Sequence, residues 1–317
     1  MDDDALAEEA LSRFDFDQPI TLELARRGEN STYRLDSPRG SFALRVHRPG
    51  YRTADMIRSE LAWMEALSGV GISTPTAVRT IAADVVATLS TDTGERHVSV
   101  LTWEPGEPLT HSDDLDQWHE LGRLMAEVRS HGQQWERPAW FVRPSWDSAG
   151  MIGAEPHWGD PIELGQWSVD LLELLAAVRE RVRERLDAFG MAPERYGLVH
   201  ADLSFENVLM RAGQAPVLID FDDCGWSWYL WELAVTLTPF DGTPDFAPRR
   251  DALVAGYRTR CELSDQDLAE LPTFIIARRL VSLGWIFTHA GTEHAERQRE
   301  RRIETFPAAA AKYLASS

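Results

Sequence analysis

The chain has 317 residues, with 51 acidic against 32 basic side chains for a net charge of −19, and 44% of it is hydrophobic, including 12 Trp. That is long enough for two lobes with separate cores and too apolar for disorder. The acidity argues against nucleic acid and anionic membrane as partners, since no basic surface is there to release their counterions, and it suits a neutral or cationic small molecule better. Residues 1–10 lack the basic and apolar segments of a signal peptide. The longest apolar run, around 274–287, is short and carries Arg278 and Arg279, so a cytoplasmic protein is expected. Cys224 and Cys261 are too few for a disulfide framework and too far apart for a zinc knuckle.

In chain order, residues 21–25, 32–35 and 42–46 read as short strands. They are joined by Gly28-Glu-Asn30-Ser31 and by Ser37-Pro-Arg-Gly40, a good turn with Pro second and Gly fourth. Residues 55–68 read as a helix ended by Gly69 and Gly71, with Ile57, Leu61, Met64, Ser68 and Glu60 on one face. A carboxylate there wants a cationic partner, because burying it unpaired is costly. A second hairpin, 84–89 and 97–102, turns at Asp92-Thr-Gly94, and Trp103-Glu-Pro-Gly106 then reads as a hinge. Beyond it the chain is mostly helical, with apolar stripes Leu115, Trp118, Leu121, Met125, Val128 and Leu171, Leu175, Val178, Val182, Leu186, the second ending at Gly190. Between the stripes, residues 135–161 are rich in Trp, Pro and Gly without period, and read as a substrate-binding insertion or a packed surface loop, the former preferred.

The segment His200-Ala-Asp202-Leu-Ser-Phe-Glu-Asn207, followed after a short β-branched strand by Asp220-Phe-Asp222-Asp223, carries the chemistry. Phosphoryl transfer needs a carboxylate to receive or orient the acceptor hydroxyl, and Mg²⁺ held by oxygen ligands against the phosphates. Asp202 can be the carboxylate, while Asn207 and Asp220 can hold the metal. Any one acid alone reads equally as a turn or helix cap, but this order and spacing form a kinase signature.

On these residues the chain resembles the aminoglycoside phosphotransferase and choline kinase-like family of small-molecule kinases, from about Gly28 to the helices after Glu232; bacterial members of unassigned substrate and homoserine kinase-like ones look most alike. The resemblance implies an α+β, bilobal protein-kinase-like fold. Residues 1–103 would form a nucleotide-binding lobe of antiparallel sheet and one helix, and residues 104–317 a larger, mainly helical catalytic and substrate-binding lobe. It further implies that Gly28, Asn30 and Ser31 lie in the phosphate-covering loop and that adenine meets the backbone near Thr102–Glu104. A basic residue in the third strand would touch phosphate and pair with the helix acid. That residue is Arg45, its partner Glu60, and the sequence departs here from the usual lysine, its one lysine being Lys312. His200 and Glu232 would support the catalytic loop, and Asp222 or Asp223 would back the metal ligands.

The expected protein is therefore a phosphotransferase with Asp202 as base and Mg²⁺ or Mn²⁺ on Asn207 and Asp220. ATP is the donor, with GTP as an alternative, and the acceptor is a hydroxyl of an amino alcohol, sugar or aminoglycoside-like antibiotic. The alternatives are a nucleotide-binding pseudokinase, suggested by Arg45 and the glycine-poor loop, and a protein Ser/Thr kinase, for which the stretch after Asp220 is short. A metallohydrolase would want several paired imidazoles, and the nine histidines form no such pairs.

Overall fold

The computed structural model describes residues 2–109, 113–211 and 214–316. Packing divides the chain into two units, the first built from Met1–Pro108, Glu136–Arg143 and Val208–Asp222, the second from Leu109–Trp135, Pro144–Asn207 and Asp223–Ser317.

The first unit holds a five-stranded antiparallel sheet in the order β1-β2-β3-β5-β4, with β1 at Thr21–Arg27, β2 at Ser31–Ser37, β3 at Gly40–Val46, β4 at Ala87–Thr91 and β5 at Gly94–Thr102. Period-2 alternation along β2 and β3 buries Tyr33, Leu35, Leu44 and Val46 on one face. A helix that the sequence did not announce, α1 (Asp3–Leu11), belongs to the same core through Leu6, Ala7 and Ala10. The helix α2 (Ala54–Gly69) starts at Thr53, whose hydroxyl accepts from the Met56 N–H. It buries Ile57, Glu60, Leu61, Met64 and Leu67; Ser68, expected on this face, is exposed, because the larger apolar Leu67 takes the core position. A second, three-stranded sheet joins β6 (Glu107–Pro108), β9 (Val208–Met210) and β10 (Val217–Leu218). Before β6 the chain passes so close to β9 that a Cβ on Gly106 would lie 3.0 Å from the Met210 carbonyl oxygen, and Gly106 has φ +150°, so glycine is required there.

The second unit contains the strands β7 (Ser145–Trp146), β8 (Tyr196–Val199) and β11 (Gly225–Trp228), with β11 central, antiparallel to β8 and parallel to β7. The rest is helical: α3 (Leu115–Gln134), α4 (Ser148–Ile152), α5 (Pro161–Leu164), α6 (Val169–Phe189), α7 (Tyr229–Leu237), α8 (Phe246–Arg258), α9 (Asp265–Leu268), α10 (Leu271–Thr288) and α11 (Glu293–Ser316). Both predicted stripes are core, except that Leu115, in the first turn of α3, is 43% exposed and Leu171, near the start of α6, is only half-buried. The Trp-rich segment corrects the preferred expectation for two of its tryptophans. Trp146 and Trp158 are buried and meet edge to face at 5.1 Å, which is packing, whereas Trp140 is exposed. Asp265–Thr288 is apolar and long enough to cross a membrane, yet 72% of its most apolar window is buried inside the protein, as befits a core helix.

Candidate active site

In the first unit Arg45, on β3, reaches two carboxylates. Its Nη1 donates to Glu60 Oε1 at 3.0 Å and its Nη2 to Asp220 Oδ1 at 3.3 Å. The pairing register of β3 puts this side chain opposite Thr32 and Ser99, and one face of α2 brings Glu60 to it. Burial pushes the Glu60 carboxyl up to about 7, with Arg45 opposing. Burial likewise works against the charge on Arg45, but Asp220, Glu60 and Asp222 hold it firmly protonated. Asp220 has φ +61°, a left-handed conformation that costs an L-residue roughly 1–2 kcal/mol. Enclosure raises its carboxyl above the usual range, opposed by Arg45 and reinforced by Asp222. The next turn is tied down by two arginines that the sequence reading missed. Arg52 Nε donates to the Asp222 carbonyl at 3.0 Å, and Arg143 donates to the Phe221 and Asp222 carbonyls and to Met56 O. Both sit in stretches without periodicity; Arg143, between Trp140-Phe-Val142 and Pro144, is isolated among apolar neighbours, whereas Arg52 lies close to Arg48 and Asp55 and carries no such signal.

The other residues expected at the nucleotide are engaged within this unit. Asn30 Nδ2 donates to Asp222 Oδ2 at 3.3 Å and its Oδ1 accepts from the Arg48 N–H; Ser31, buried, donates to Asp3 on α1 at 2.6 Å. Gly28 opens the turn before β2, and a Cβ there would meet nothing closer than 3.6 Å, so the turn itself does not demand glycine. Thr102 donates to Glu104 Oε1 at 2.8 Å, and Glu104 also pairs with Arg211.

In the second unit β8 delivers His200-Ala-Asp202 to the end of a strand, and α7 clamps that loop. Glu232 accepts from the backbone N–H of Ala201 at 2.7 Å and of His200 at 3.2 Å, while Trp231 Nε1 donates to the Ala201 carbonyl at 2.8 Å. Ala201 has φ +68°, so the clamp holds a strained residue directly before Asp202. Burial lifts the Glu232 carboxyl to about 7 against the two backbone donors. Asn207 Nδ2 donates to the Asp202 carbonyl at 2.9 Å and to Asp202 Oδ2 at 3.2 Å. The sequence also missed a second partner of this carboxylate: Arg278, on α10, donates from Nη2 to Asp202 Oδ1 at 2.6 Å. Two arginines inside the apolar run were the available signal, but an all-round apolar helix does not reveal which one turns inward. Asp223 is buried, with its carbonyl bonded by Trp146 Nε1 at 2.7 Å.

Among the described residues no group of three or more His, Cys, Asp or Glu side chains is placed to hold a metal ion. Asp220 in the first unit and Asn207 in the second each carry an oxygen of the kind Mg²⁺ takes, the rest of its shell being filled by water and phosphate. Asp220 keeps 42% of its side chain exposed, and Asn207 turns its Nδ2 toward Asp202.

The model of the phosphotransferase enzyme family matches residues 21–270. An uncharacterized protein of Deinococcus radiodurans is 30% identical over 312 residues, covering 91% of this chain and 84% of its own. A homoserine kinase of Gluconobacter oxydans is 28% identical, covering 79% of this chain and 76% of its own. The solved structure of the microcompartment-associated aminopropanol kinase superposes with a TM-score of 0.89 at 33% identity, covering 99% of this chain and 98% of the other.

Proposed function

This chain belongs to the phosphotransferase enzyme family and is a small-molecule kinase that moves phosphate from ATP to a hydroxyl. On that premise we propose that its acceptor is a short amino alcohol and that Asp202 is the base that orients and deprotonates the acceptor hydroxyl. What supports the catalytic part is a single arrangement: a carboxylate with each oxygen restrained, by Asn207 and by Arg278, on a loop clamped by Glu232. A base fixed in this way supplies orientation, which phosphoryl transfer uses more than covalent chemistry. The amino-alcohol part draws on the aminopropanol kinase likeness and on the net charge of −19, which attracts an ammonium group.

Arg45 holds the triphosphate side, offering a permanent charge where a lysine would be usual, with Glu60 fixing its direction. Mg²⁺, or Mn²⁺, on Asn207 and Asp220 would neutralise phosphate charge. Gly28 to Ser31 covers the phosphates and the backbone near Thr102 and Glu104 meets adenine. His200, Asp222 and Asp223 support these groups, and the cytoplasm supplies the ATP.

The test is a coupled ADP-release assay over short amino alcohols, hydroxy amino acids, sugars and aminoglycosides. Amino alcohols should give the highest kcat/KM, with a KM that rises as salt screens the attraction between the ammonium group and the acidic protein. Asp202→Asn should lower turnover by roughly 10²–10⁴ with ATP affinity kept. Preference for an uncharged sugar, or a fully active Asp202→Asn enzyme, would refute the respective part.

A further inference from the structure

We propose that Arg278 is a positioning residue of the reaction, holding the Asp202 carboxylate in the orientation from which it meets the acceptor hydroxyl. The inference rests on the reading of Asp202 as the base. The clamp on α7 fixes only the backbone of the catalytic loop, through the Ala201 and His200 N–H groups and the Ala201 carbonyl. Rotation about the side-chain bonds of Asp202 is restrained by Asn207 on Oδ2 at 3.2 Å and by Arg278 on Oδ1 at 2.6 Å. The Arg278 bond is the shorter and charge-assisted one, the kind that holds geometry best.

Arg278 is itself held. Its guanidinium lies 4.7 Å from the Trp158 ring and 5.8 Å from the Trp231 ring, and Trp231 is the same indole that bonds the catalytic loop. The loop and the cation that restrains its carboxylate therefore share one wall. Packing does not account for an arginine in this place. Its side chain is only 12% exposed, its Nη1 is buried without a hydrogen-bond partner, and removing a guanidinium from water costs several kcal/mol that a methionine of similar size would avoid. Its neighbour shows the ordinary alternative: Arg279 pairs with Asp241 at 3.0 Å, away from the catalytic loop. Trp158, core by its burial, thereby acquires a role within two contacts of the reacting centre.

The test compares four variants by steady-state kinetics with ATP and acceptor each varied. Arg278→Met keeps the volume and removes the charge; kcat should fall roughly 10- to 100-fold, the scale of a misplaced catalytic group, with ATP affinity and acceptor KM within about twofold of wild type. Arg278→Lys should recover part of that loss, since a point charge on a flexible stem can bond Oδ1 without the rigid fork of the guanidinium. For Arg278→Ala, guanidinium ion at non-denaturing concentration should raise kcat several-fold where urea and NaCl do not. Wild-type kcat in Arg278→Met, or Lys and Met variants equally impaired with no guanidinium rescue, would make Arg278 a packing residue and overturn the proposal. If Arg278→Ala fails to bind nucleotide through misfolding, the Met and Lys pair decides alone. Asp202→Asn is measured alongside: full activity there sinks the base assignment, whereas loss there with a normal Arg278→Met sinks only the positioning role.

Discussion

Arg45 serves two carboxylates at once, and the chemistry of guanidinium explains why one residue can. Its planar fork donates from two separate nitrogens, to Glu60 on α2 and to Asp220 beyond β10, whereas a lysine would have to reach both from a single ammonium nitrogen. Removing it should cost on the order of 3 kcal/mol in transition-state stabilisation, by analogy with other preorganised donors. Arg45→Lys should recover only part. Glu60→Ala should also slow turnover, since Arg45 is then free to swing toward Asp220 alone, and the double variant should lose less than the sum of the singles. Steady-state kinetics of the four proteins measures the coupling. Strictly additive losses, with Glu60→Ala harmless, would mean that the pair is not a functional unit and that Arg45 acts without Glu60.

At the scale of elements, the second unit depends on a close approach of two helices. A Cβ on Gly256 of α8 would fall 1.8 Å from the His119 carbonyl of α3, and one on Gly122 of α3 would fall 1.9 Å from the Leu253 carbonyl of α8. Since neither backbone can yield without moving its helix, Gly256→Ala should cost about 1–3 kcal/mol, read as a lower urea midpoint with unchanged ATP affinity in the folded protein. An unchanged midpoint would mean that the helices separate freely. The α3 stripe that meets this contact was legible because Trp118, Leu121, Met125 and Val128 keep a helical period over about three turns, and β2, β3 and α2 were legible for the same kind of reason. The Arg45–Glu60 pair was legible through the family resemblance, which implies a basic third-strand residue facing the helix acid, and the structure joins the two at 3.0 Å. What escaped was whatever lacks a repeating face. α1 is nine residues long with three buried positions, too short for a period to emerge. Arg278 and Arg143 lie respectively in a helix apolar on every side and in a stretch of irregular chain, and in both the inward direction is decided by tertiary packing.

The whole molecule carries a net charge of −19, and its response to pH separates that diffuse repulsion from single buried groups. Glu232 is raised by burial from 4.5 to about 7. The folded state therefore holds its proton more tightly than the unfolded chain, so its contribution to stability is full below about 4.5 and is lost as pH rises through about 7. His47 acts the opposite way. Burial, with Arg45 adding, draws it from 6.5 to about 3, so the unfolded chain takes up a proton that the folded one refuses, and stability falls as pH drops below about 6.5. The two slopes overlap and partly cancel, so the wild-type Tm profile alone is not diagnostic. The difference from Glu232→Gln is, because Gln cannot titrate while His47 and the surface charges stay in common. The Tm advantage of wild type over Glu232→Gln should shrink as pH rises from 5 to about 7 and then level off. Added NaCl should raise both Tm values near neutral pH by screening the surface acids, yet leave the pH trend of the difference in place, since a buried carboxyl is screened far less. A difference that stays flat across this range would show that Glu232 is already ionised at pH 5, held so by the Ala201 and His200 N–H groups, and that the clamp on the catalytic loop keeps its charge throughout.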